Sequence, residues 1–217
     1  MSRDRDAKVL NELVRAHGET FAHEAGITLR NTPQPLYRLL VLAVLLSARI
    51  RGSVAVASAR ALSEAGLRDP RRMAGADWRA RVDALGRGGY RRYDERTATQ
   101  LGDGAELVLE RWGGDLRRLR AEGDGSVPAL RALLQEVPGL GPAGADIFLR
   151  EVQAVWPEVA PYLDAKTLSG AGRLGLPEDA GRLAGLAGDT DPAALAAALV
   201  RAALDKHVAQ ECLAHAA

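Results

Sequence analysis

The sequence predicts an all-α protein. Apolar residues recur at helical spacing, with Gly or Pro punctuating the runs. β-Branched stretches are short, and strict apolar–polar alternation never persists. A chain of 217 residues is long enough to bury a substantial core as one domain or as two small ones.

The charged N-terminal segment has the spacing of an amphipathic helix over 5–17, with Gly18 placed to stop it. The most apolar run, Leu39 to Ala48, predicts a helix over 35–49 that is buried on most sides. It is far shorter than the roughly 20 residues needed to span a bilayer. Further helices are expected over 53–66 (stopped by Gly66), 76–85, 94–112, 127–136, 143–154, 165–173 and 178–187. A last one is expected over 192–213. Asp191-Pro192 reads there as an N-cap followed by proline at the first helical position. Residues 86–89 and 123–126 read as short Gly-rich connectors. There is no fixed-period repeat, and the charged N-terminus carries no secretory signal. A cytoplasmic protein with no membrane partner is expected, as a monomer.

The formal net charge of +1 argues neither for nor against a polyanionic partner. Of the 29 basic residues only Lys8, Lys166 and Lys206 are lysines. Arginine suits bidentate phosphate contacts and stacking, although a GC-rich genome would raise Arg, Ala and Gly together. The single cysteine, Cys212, excludes an internal disulfide and a four-cysteine cluster within the chain, and a buried thiol is expected. His17, His23, His207 and His215 lack metal-ligand spacing and are expected at the surface or in packing. Trp78, Trp112 and Trp156 are expected in the core or at a subdomain interface rather than as platforms for bases.

The segment with most chemical content is Val137-Pro138-Gly139-Leu140-Gly141-Pro142-Ala143-Gly144-Ala145-Asp146. It lies between an apolar helix and an amphipathic one. Gly139 and Gly141 allow positive φ and leave the backbone unshielded, so amides around 139–145 are placed to contact phosphate oxygens. A plain Gly-Pro turn between helices is the alternative. Pro142 suits the first turn of the second helix, where no intrahelical N–H bond is needed. Asp146 and Glu136 are nearby acids, Asp146 as a first-turn acid complementing the helix dipole. Downstream, Pro161-Tyr162-Leu163-Asp164-Ala165-Lys166 sets a carboxylate at a helix start. Asp164 reads as an N-cap, a catalytic carboxylate, or both. Upstream stands Val44-Leu45-Leu46-Ser47-Ala48-Arg49, with Arg51 close by. Gly88-Gly89-Tyr90-Arg91-Arg92-Tyr93 precedes a long helix.

These segments resemble the HhH-GPD superfamily of base-excision DNA glycosylases, which includes endonuclease III and adenine glycosylase. The similarity covers roughly 35–175. The resemblance implies a helix-hairpin-helix and two helical lobes flanking a DNA-binding cleft. One lobe, 31–160, would be a six-helix bundle ending in the hairpin; the other would be formed by 1–30 with 161–217. The chain departs from endonuclease III at three points. Ala143 stands where that enzyme has its lysine nucleophile, Arg49 stands where the family inserts a glutamine into the duplex, and the iron–sulfur cysteines are absent.

The implied function is a monofunctional glycosylase that hydrolyses the N-glycosidic bond of a damaged base in double-stranded DNA, without lysine-dependent strand cleavage. Such a protein would be nucleoid-associated and would need no metal or cofactor. Asp164 would stabilise the cation developing on the sugar or activate water. Gly139, Gly141, Gly144, Arg49, Arg51, Arg91 and Arg92 would contact DNA. Tyr90 and Tyr93 would line the base pocket, or else pack as ordinary turn aromatics. Arg49 and Arg51 have a plainer reading, as cations at a helix end. Lys166 is a solvated first-turn lysine or a residual lyase group. The alternative function is a non-catalytic binder of DNA structures on the same scaffold; a helical protein-interaction module is a third.

Overall fold

The structure is a computed structural model and describes residues 2–216. It is all-helical, with no strand among the described residues. The α-helices in chain order are α1 (Ser2–His17), α2 (Phe21–Glu24), α3 (Pro33–Ser47), α4 (Gly52–Glu64), α5 (Pro70–Ala74), α6 (Trp78–Arg87) and α7 (Asp94–Trp112). They continue with α8 (Leu116–Glu122), α9 (Val127–Gln135), α10 (Pro142–Val152), α11 (Ala165–Arg173), α12 (Ala180–Ala187), α13 (Pro192–Leu204) and α14 (Lys206–Ala216). A short 3-10 turn covers Pro157–Val159. No single helix among the described residues is long and apolar enough to cross a membrane.

The chain divides into two compact units, with boundaries between residues 21 and 22 and between residues 149 and 150, the latter inside α10. The last turn of α10 and the segment to residue 160 therefore group with the termini. The segment expected to be a six-helix bundle, 31–160, contains eight α-helices. The additional ones are the short α5 and α8, too brief for apolar periodicity to announce. Each nevertheless carries its own cap: the Asp69 side chain accepts from the Arg72 amide and that of Asp115 from the Arg117 amide. The four-residue α2 was likewise unexpected. The helix expected over 192–213 is two helices. Asp205 is extended between them, and its carboxylate accepts from the His207 amide at 2.8 Å, so an acid embedded in a helical pattern ends one helix and caps the next.

In the unit of residues 22–149, α3 is the buried centre. Leu36, Leu39, Leu42, Ala43 and Leu45 are fully covered, and α4 and α8 pack against this helix. Trp112 is buried and its indole N–H donates to Glu122 at 2.7 Å. Buried Arg81 secures the α5–α6 connection by donating to the carbonyls of Met73 and Ala76. Trp78 is half-buried and donates to Thr99.

In the other unit, the apolar stripe Val9, Leu10 and Leu13 of α1 packs with Ala171, Leu183, Leu195, Leu199, Ala202 and Cys212. Helices α11 and α13 approach so closely at Gly170 that a Cβ there would lie 1.9 Å from the Leu199 carbonyl oxygen. Cys212 is buried with its thiol against the Val9 carbonyl, and Trp156 is fully buried.

Candidate functional site

The turn between α9 and α10 is built from α9's cap onward. Ser126 caps α9, and Leu130, Leu133 and Leu134 bury its apolar face. After α9 the chain turns on bonds from the Val137 amide to the Leu134 carbonyl and from the Leu140 amide to the Val137 carbonyl. Val137 and Leu140 are buried and pin the turn down. Gly139 adopts φ +84°, and a Cβ there would lie 3.1 Å from both Val44 Cγ1 and the Gln100 side-chain oxygen. Glycine is thus required twice over, by backbone conformation and by space. Across the turn, Arg131 on α9 grips Asp146 on α10 with bonds of 2.6 and 3.2 Å. Asp146 is therefore a staple between the two helices rather than only a dipole-complementing acid. Glu136 forms an ion pair with Arg111.

The first intrahelical bond of α10 runs from the Ala145 amide to the Gly141 carbonyl. Pro142 has no N–H, and the amides of Gly141, Ala143 and Gly144 donate to no acceptor among the described residues. The helix dipole adds partial positive charge at this end. The three expected glycine contacts now separate. Gly141 does not use the positive φ that glycine allows, and a Cβ there would meet nothing within 4 Å, so no internal contact requires glycine. Gly144 is buried; its missing side chain makes room for Leu140 and Ser47, 2.8 and 3.3 Å from where a Cβ would sit. Its role is packing, with only its amide left open. Ala143 is exposed and offers no nucleophile.

Distant in sequence, the end of α3 meets this turn. The Ser47 hydroxyl lies 2.7 Å from the Val44 carbonyl and 3.3 Å from that of Gly139, donating to these oxygens. Helix α3 stops at Ser47, two residues earlier than expected, so Arg49 lies in the connector to α4 and not at a helix end. Arg51 is the N-cap residue of α4. A cation there faces the positive end of that helix's dipole, and the dipole therefore does not account for it. Both arginines are exposed.

The Gly88–Tyr93 turn splits its two tyrosines. Gly88 is needed because a Cβ would fall 2.3 Å from Ser58 Cα on α4, and Gly89 has φ +87°. Tyr90 is 1% exposed and accepts a bond from the Thr97 hydroxyl at 3.2 Å. Burial and the apolar surroundings push its phenol pKa upward. It is a core anchor of the turn, and the expectation that it lines a base pocket is withdrawn: a buried ring has no face to offer. Tyr93 is exposed with the Arg92 guanidinium over its ring, and Arg91 and Arg92 are themselves exposed.

Asp164 is held from several directions within its own unit. It caps α11, accepting from the Thr167 amide at 3.1 Å, while the Thr167 hydroxyl donates to its carbonyl at 2.7 Å. Arg150 Nη1 donates to both carboxylate oxygens, at 3.3 and 3.1 Å, and only 12% and 13% of the two side chains remain exposed. The approach to Asp164 is strapped by buried Gln153. Its amide nitrogen donates to the carbonyls of Arg150, Tyr162 and Pro192, and its oxygen accepts from the Tyr162 amide at 2.7 Å. The Ala160–Pro161 peptide in this strap is cis. Lys166 is exposed in the first turn of α11. Sequence reasoning missed Arg150 and Gln153. Their only signal was polarity on the last turn of an amphipathic helix, which a solvated face explains equally well.

No protein-family model matches the chain, and no curated protein matches it.

Proposed function

We propose that this chain is a DNA-binding protein on a helix-hairpin-helix scaffold of the HhH-GPD type, acting as a monofunctional base-excision glycosylase. The observation that carries the reading is the meeting of Ser47 with Gly139, which joins the two segments that resemble the family, beneath a helix start with three unpartnered amides. Donors of this kind contact phosphate oxygens and set a protein's register on a duplex without reading sequence. Arg49 and Arg51 extend from the same segment, and Arg49 takes the place left by an extruded base. Asp164 stabilises positive charge developing on the sugar. With Ala143 in the nucleophile position, the base is displaced by water and the strand is left intact.

The pairing of Asp164 with Arg150 favours a second reading. A neighbouring guanidinium offsets the negative field that a developing cation would feel, and a carboxylate so engaged serves well as a cap and tie. On that reading the chain binds distorted DNA and releases no base.

Duplexes carrying a panel of base lesions, incubated with the protein and then treated with alkali, separate the two. The glycosylase reading expects alkali-revealed breaks on at least one lesion, lost by roughly 100-fold or more in Asp164→Asn. Binding of every duplex with no release selects the second reading. Strand cleavage before alkali, trapped by borohydride, would contradict the role given to Ala143.

A further inference from the structure

Arginines gather at one end of the unit of residues 22–149. Arg38, Arg68, Arg71, Arg72, Arg117 and Arg118 stand where the start of α3, the α4–α5 connector, α5 and α8 come together. Pro70, which opens α5, packs on Gly114, which leads into α8, 3.9 Å from where a Cβ would sit. Helix α8 packs in turn on α3, and the Arg118 guanidinium lies against Gly113 at the end of α7. Arg38 is close enough to Arg68 that its pKa is pushed down, by burial first and by that second cation next. The whole chain carries a formal charge of only +1. A compositional excess of arginine would scatter over the surface, whereas these side chains share one end.

Neighbouring acids do not cancel them. Asp69 and Asp115 cap α5 and α8 and pair with Arg72 and Arg117 at 3.4 and 2.7 Å. Both arginines remain open to solvent, where an ion pair is weak enough for phosphate to compete. Glu64, at the end of α4, lines a cleft with Arg60 instead. Arg38 and Arg68 donate to the carbonyls of Gly26 and Ser63. Among the described residues, neither of these two nor Arg71 nor Arg118 pairs with a carboxylate.

The arginine end is separate from the turn at 137–145. Helix α3 meets that turn with Ser47, its last residue, and reaches the arginines with its first turns. At 1.5 Å per residue this helix is about 20 Å long. Helix α7 likewise passes the turn at Gln100 and Gly104 and meets Arg118 only at its far end. Neither α5 nor α8 exposes a large apolar side chain, since Pro70, Met73, Leu116 and Leu119 are all buried. Acidic peptides and membrane surfaces are held by apolar anchors as well as by charge. A phosphate backbone is held by cations alone. We propose that this arginine end is a second DNA surface, gripping the phosphates of a duplex without reading its sequence, so that one molecule holds two duplex segments. The proposal rests on the DNA-binding reading above for the first segment and goes beyond it for the second.

The test uses the full chain and two short duplexes with different fluorophores, sedimented together with the protein at rising salt. At low salt, wild-type protein should carry two duplexes per molecule. Arg71→Gln combined with Arg118→Gln removes two exposed charges that make no ion pair inside the protein, so Tm should not change. Affinity for the second duplex should fall roughly 10–100-fold, and its salt slope should drop by about 2, close to one per arginine removed. The first duplex should bind as before. Gly141→Ala is expected to do the reverse, weakening the first duplex and sparing the second. One duplex per wild-type molecule would overturn the proposal, as would a second duplex whose affinity and salt slope survive the double substitution. Polyglutamate held by these arginines where no second duplex binds would overturn it as well, and would assign this end to an acidic protein. Wild-type protein that binds no duplex removes the DNA-binding reading itself and this proposal with it. That outcome is distinct from one duplex bound and the second refused.

Discussion

The turn at 137–145 and the strap ending at Asp164 are both loops that lead into a helix, and they treat their polar groups in opposite ways. At the first, the backbone donors at the helix start are left open, and a glycine at 141 has no neighbour to explain it. At the second, the capping carboxylate, the amide of Tyr162 and three carbonyls are all engaged, by Thr167, Arg150 and Gln153. Polar groups taken from water need partners, whereas those left in water or offered to a ligand do not. The first turn therefore leaves donors that the proposed phosphate contact would use, whereas the polar groups of the second are held by partners within the protein.

That contrast breaks most readily at the strap. Gln153→Leu keeps the volume but removes the acceptor of the Tyr162 amide and the donor to three carbonyls. It is expected to destabilise the protein by about 3 kcal/mol, read as the shift in a urea-unfolding midpoint. A loss below about 1 kcal/mol would show that the strap is not held as described. Next is Gly139→Ala, which forces a side chain into a left-handed conformation beside Val44 and Gln100. About 2 kcal/mol of stability should be lost, with DNA affinity falling in parallel as the turn deforms.

Two smaller effects sharpen the picture. Gly141→Ala enters open space without backbone strain, so stability should change by less than about 0.5 kcal/mol. Affinity for duplex DNA should nevertheless drop roughly tenfold if phosphate oxygens approach this backbone as closely as unshielded amides permit. Unchanged affinity there would remove the reason for assigning the turn to phosphate. Ser47→Ala, which deletes one hydroxyl between α3 and the turn, is expected to cost about 1 kcal/mol in thermal or urea unfolding.

Much of the fold was legible because long helices announce themselves through periodicity. The spans 94–112 and 165–173 agree with α7 and α11, since an acid-rich start or a capping aspartate marks one end and an apolar stripe runs to the other. What escaped was short or locally overridden. Helices α5 and α8 hold too few residues for a periodic signal, though Asp69-Pro70 is the same cap-then-proline signature read correctly at Asp191-Pro192. The break at Asp205 was hidden because apolar residues on both sides kept the pattern alive while one carboxylate recapped the chain. At the site, the residue types were visible but their environments were not. Tyr90 and Tyr93 share a turn, yet one ring faces the core and the other the solvent.

Taken alone, the sequence determined an all-helical chain, the glycine-punctuated turn before α10, an aspartate at the start of α11 and the absence of a lysine at 143. These are local matters of periodicity, capping chemistry and residue identity, and each is encoded within a few residues. Only the tertiary structure decided that Ser47 bonds to Gly139, that Arg150 reaches Asp164, that Gly144 is a packing residue and Gly141 an open one. Such pairings depend on which helix faces meet, and burial of the apolar stripes sets those faces, whereas the polar residues follow where packing places them.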